Sequence, residues 1–120
     1  MRKNLCIMLM TAEANLAFIL RMAAVSAESG NPTVIYLDGN PAEDFTRKDA
    51  LEKYVKLHYD PTILQAYQRF RAAGGRLWVS AYEAQRVKLY ERRDLVDGLA
   101  MVDEKMLLDF LSQDTICLQY

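Results

Sequence analysis

The run NLCIMLM at residues 4–10 is the strongest constraint on what this chain can fold into. Its apolar residues are continuous, as in a strand covered on both faces inside a parallel sheet. Parallel strands cannot be joined by a tight hairpin, so each needs a crossover, usually a helix. The sequence supplies one after every such run. Residues 12–29 carry Leu16, Phe18, Ile19, Leu20, Met22, Ala23 and Val25, which reads as a helix. Thr11 is its expected N-cap, Glu13 lies in its first turn, and Gly30 with Pro32 closes it.

TVIYLDGN (33–40) reads as a second strand ending in a turn, with Asp38 at its C-terminal end. Thr46 precedes Asp49 at capping-box spacing, and Leu51, Tyr54, Val55 and His58 follow at helical spacing. Asp60 and Pro61 restart a helix as N-cap and first-turn proline. It carries Ile63, Leu64, Tyr67 and Phe70 inward and stops at Gly74–Gly75. A third strand (76–79), a helix (84–93), a short strand or extended link (98–102), a helix capped by Asp103 and a last strand (115–120) complete the pattern. The expectation is one α/β domain over residues 1–120. It is a three-layer α/β/α arrangement around a mostly parallel sheet of about five strands. A chain of 120 residues can bury one core of this kind.

A net charge of −1 argues against a general polyanion-binding role, so no nucleic-acid partner is expected. NLAFILRMAAVSA is interrupted by Arg21 and too short to span a bilayer. The N-terminal apolar run lacks the length and cleavage site of a signal peptide. The expected location is the cytoplasm, without membrane attachment. The single histidine and two distant cysteines cannot make a structural zinc site. MTAEAN after the first strand has no glycine for close approach of a phosphate, and no Walker A pattern occurs. No cofactor is expected. Cys6 and Cys117 both fall inside predicted strands and read as small buried apolar residues.

RAAGGRLWVSAYEAQRV (71–87) raises the sharpest functional question, because chemistry in open parallel sheets collects just past strand C-termini. Ser80 occupies such a place. It lacks a G-x-S-x-G elbow, and the only available imidazole, His58, reads as a helix-face residue. A hydrolase would need His58 or a carboxylate within reach of Ser80. Glu13, Asp38 and Glu83 also follow strand ends, where they could serve a cation or acid–base chemistry, or simply start helices and turns. Arg86, Lys88, Arg92 and Arg93 read as a solvated helix face. Tyr54, Tyr59, Tyr67, Tyr82, Tyr90 and Phe45 are more aromatic character than a small monomer's surface needs, so some are expected between subunits.

Three stretches carry a resemblance to the DsrE/DsrF-like family, which includes the sulfur-relay subunits TusB, TusC and TusD. KNLCIMLMTAEANLAFILRMAAVSAESGNPTVIYLDGN is similar to the family's opening strand, alanine-rich helix and second strand. AYQRFRAAGGRLWVS is similar to its helix, glycine stop and third strand. LVDGLAMVDEKMLLDFLSQDTICLQY is similar to its closing pattern. The resemblance implies a reactive persulfide-carrying cysteine in the loop after strand three. Here that position is Ser80, with Glu83 where some members have a second cysteine. A serine cannot carry a sulfane sulfur, so no catalytic residue is assigned. What the resemblance leaves is a non-catalytic assembly or small-ligand-binding subunit, with a crevice lined by Thr11, Glu13, Asp38, Ser80, Tyr82 and Glu83. It also implies self-association as a trimer or hexamer, related DsrE-like subunits as partners, and a possible sulfur-carrier protein. The alternative is an active sulfurtransferase using Cys117 or Cys6.

Overall fold

A computed structural model describes residues 3–11 and 15–120. Five strands, β1 (Asn4–Leu9), β2 (Thr33–Leu37), β3 (Arg76–Ser80), β4 (Leu99–Val102) and β5 (Thr115–Gln119), form one sheet in the order β4-β3-β2-β1-β5. Every pairing is parallel. The continuous apolar runs become the buried strands: all five residues of β2 are buried, and so are Leu77 to Ser80 of β3.

Helix α1 (Leu16–Glu28) packs along α4 (Thr62–Ala72) on one face of the sheet. Ile7, Leu9, Ile19, Ile35, Ile63 and Phe70 close that core with almost no exposed surface. Each such side chain contributes about 1.5–3 kcal/mol, far more than the exposed Arg69–Glu28 ion pair that also joins the two helices. The opposite face is covered by α6 (Glu104–Leu111) on its way from β4 to β5. Its core is smaller: Cys6, Val34, Tyr36, Trp78 and Val102 under Leu107 and Phe110. The Trp78 and Phe110 rings meet edge to face at 5.7 Å.

Gly74 and Gly75 stop α4 for different reasons. Gly74 adopts φ +89°, in the left-handed region. Gly75 lies against the Phe70 ring, where a Cβ would fall 2.1 Å from a ring carbon.

Several boundaries differ from the sequence expectation. Helix α1 begins at Leu16, and its cap is Asn15, whose Oδ1 accepts from the Phe18 amide at 3.1 Å. Thr11 instead prolongs the β1–β5 ladder, its amide donating to the Tyr120 carbonyl at 3.2 Å. Thr46 caps nothing: it is fully buried, and its hydroxyl donates to the Ala42 carbonyl of a short helix α2 (Asn40–Asp44) at 2.8 Å. Helix α3 is Ala50–His58. Asp60 does act as a cap for α4, accepting from the Thr62 amide at 3.0 Å. The expected 84–93 helix is α5 (Ala81–Arg86) followed by a 3₁₀ turn, Leu89–Glu91. Lys88, at φ 59°, breaks the helix between them.

Candidate functional site

The C-terminal ends of β1, β2 and β3 line up by register, Leu9 beside Leu37 and Leu37 beside Val79. Of the six crevice residues, Thr11 is exposed, and Glu13 lies outside the described residues. Asp38 follows β2 with its amide on the Leu9 carbonyl (3.1 Å) and its Oδ1 accepting from the Gly39 amide (2.8 Å). This carboxylate shapes the turn into α2. Tyr82 stands out into solvent, 68% exposed.

Ser80 is the last residue of β3, buried, and serves as the N-cap of α5. Its Oγ accepts from the Glu83 amide at 3.3 Å. The Tyr36 phenol lies near Ser80. Burial raises the Tyr36 phenol above its ordinary value, so it stays neutral. Glu83, in the first turn of α5, accepts from Arg86 Nε at 2.6 Å. His58 stacks on Tyr54, ring centroids 4.2 Å apart, and is not among the partners of the Ser80 hydroxyl. Ser80 therefore closes a helix end. It is neither an exposed nucleophile nor paired with a base.

Open grooves lie elsewhere. One of about 340 Å³ runs past Glu43, Phe45, Asp49, Lys53, Tyr54 and Leu57. Another, of about 390 Å³, involves Leu64, Tyr67, Arg71 and Val96. None of the five described crevice residues lines either groove. Among the described residues, no group of three or more His, Cys, Asp or Glu could hold a metal ion. No described helix is long and apolar enough to cross a membrane.

The cysteines depart most from expectation. Cys6 is fully buried under α6, as a small apolar residue should be. Cys117 is exposed, because β5 is an edge strand with a neighbour on one side only. The two are register partners across the β1–β5 seam. Sequence reasoning missed this juxtaposition, and it also missed Tyr36 beneath Ser80. Alternation along β2 and β3 places Tyr36, Trp78 and Ser80 on one face, so the second could have been found from periodicity. The first depends on strand order, which no local spacing encodes.

No family model matches the chain, and no curated protein matches its sequence. Among solved structures, the crystal structure of the ychN protein from E. coli matches over 100% of both chains, with a TM-score of 0.62 and 18% identity. That likeness shows a DsrE-like fold.

Proposed function

We propose that this chain is a non-catalytic DsrE-like subunit serving assembly or small-ligand binding in intracellular sulfur relay. The observation that carries the reading is Ser80: at the place where the resemblance implies a persulfide cysteine, a buried hydroxyl caps a helix. Exposed apolar residues on α6 and β5, among them Leu108 and Ile116, favour assembly with copies of itself or related subunits. The proposed setting is the cytoplasm. Native mass spectrometry before and after a persulfide donor tests the reading. The expected result is a trimer or hexamer of unchanged subunit mass. A stoichiometric, cyanide-labile sulfur on the chain overturns it.

One observation favours a second reading. The exposure of Cys117 leaves a thiol open to a sulfur donor, as an active carrier would need. That reading expects the mass gain of one sulfur and its loss in Cys117→Ser.

A further inference from the structure

The parallel ladder sets Cys6 directly beside Cys117. Register partners project from the same face of a sheet, here the face under α6. Adjacent strands lie about 4.8 Å apart, inside the roughly 4.4–6.8 Å Cα separation that a disulfide spans. Both cysteines are free, and the nearby Cys117 sulfur adds to the burial that disfavours the Cys6 thiolate. Their access differs sharply: Cys117 is exposed on the edge strand, whereas Cys6 has no exposed surface.

We infer that the two cysteines form a dithiol modification site, in which Cys117 is S-thiolated by a small disulfide of the glutathione class and Cys6 resolves the adduct. In the first step the Cys117 thiolate attacks one sulfur of the small disulfide. The Cys117–sulfur bond forms, the small disulfide's S–S bond breaks, and one small thiolate leaves and takes a proton. In the second step Cys6 gives up its proton and its sulfur attacks Cys117 Sγ, expelling the second small thiolate, which is protonated in turn. The small disulfide gains two electrons and two protons to become two thiols. The protein loses the same and gains one disulfide.

Burial, with the Cys117 sulfur adding to it, pushes the Cys6 thiol up to about 12. Cys6 thus stays protonated while Cys117 reacts, and its own attack is the slower step. On a pleated sheet, neighbouring side chains run side by side and do not converge as a disulfide requires. The bond is therefore strained and easily reduced, a reversible mark. The inference rests on neither reading of function, since it needs only the cysteine pair and a small disulfide.

The test is an intact-mass time course of the full chain with glutathione disulfide. The expected sequence is one glutathione adduct, then a monomeric species lacking two hydrogens that reverts with dithiothreitol. Peptide mapping should join the segments 4–10 and 114–120. Cys6→Ser should stop at a stable adduct on Cys117, and Cys117→Ser should form none over the same period. If Cys6→Ser and the unaltered chain end in the same adduct, or the sole product is a dimer through Cys117, the inference is overturned. Should Cys6→Ser not fold, phenylarsine oxide on the unaltered chain decides. One arsenic per chain blocking both thiols supports the pair, and one thiol left open to bimane overturns it.

Discussion

Ser80 and Cys117 project from the same face of one sheet, yet they meet different surroundings. Ser80 ends β3, an interior strand. It is buried, near Tyr36, and holds the first turn of α5. Cys117 lies in β5, where one side of the strand has no neighbour and the thiol reaches solvent. The contrast teaches that position in the strand order, more than residue type, decides which potential nucleophile is available. Strand C-termini in the middle of this sheet are occupied by turn and cap hydrogen bonds, while the edge is open.

The largest expected effect concerns the cysteines. Native alkylation should modify Cys117 at least about a hundredfold faster than Cys6, because Cys6 needs local opening and carries a raised pKa. Mass-resolved labelling that found the two rates equal would break the comparison. Installing a thiol at the interior position sharpens it. Ser80→Cys should label as slowly as Cys6 and accept no sulfur from a persulfide donor, since burial and not chemistry closes that place.

The next effect is on stability at high pH. The folded chain holds the Cys6 thiol and the Tyr67 phenol each at about 12, chiefly by burial, against ordinary values of 9.0 and 10.0. Raised folded values mean that the folded state holds these protons more tightly than the unfolded one. Their contribution is present in full below about pH 9 and is lost as pH rises from about 9 to 12. Urea midpoints should be flat from pH 7 to 9 and then fall, with Cys6 accounting for about 3 kcal/mol by pH 11. In Cys6→Ala, less stable at neutral pH, the alkaline fall should be shallower.

Smaller effects probe the interior site itself. Ser80→Ala removes the cap of α5 and should cost about 1 kcal/mol in urea unfolding. A loss near zero would mean that the hydroxyl is free for other work. Glu83→Gln weakens the Arg86 pairing, whose arginine is half exposed, and should cost no more than about 0.5 kcal/mol.

The order of strands and helices was legible because it is local. NLCIMLM, the β-branched TVIYL and the Gly74–Gly75 stop each announce themselves within a few residues. The errors arose where tertiary contacts outweighed local propensity. Asn15 displaced Thr11 as cap because the chain stays in the β1–β5 ladder through Thr11. Thr46, read as a helix start, is drawn into the core with its hydroxyl on the Ala42 carbonyl. The basic 84–93 stretch is not one helix, since Lys88 turns left-handed within it. At the candidate site, Asp38 and Glu83 follow strand ends and serve a turn and a helix start, as one of the two sequence readings had it; the capping role of Ser80 was not foreseen. Cys117 looked buried because ICL is apolar. Its exposure follows from β5 being outermost, a property of the whole sheet.

The outermost place of β5 also bears on how the molecule stays dispersed. The strand is held by one neighbour and leaves most of its residues exposed, so its detachment is among the least costly openings available to the fold. Once β5 peels away, β1 becomes the rim of the sheet. It then presents the uncharged run Leu5, Cys6, Ile7, Met8 and Leu9 with unpaired backbone groups. Exposed edges of that composition seed intermolecular strand pairing. β5 thus covers the apolar strand β1, whose exposure as a sheet edge would favour intermolecular pairing.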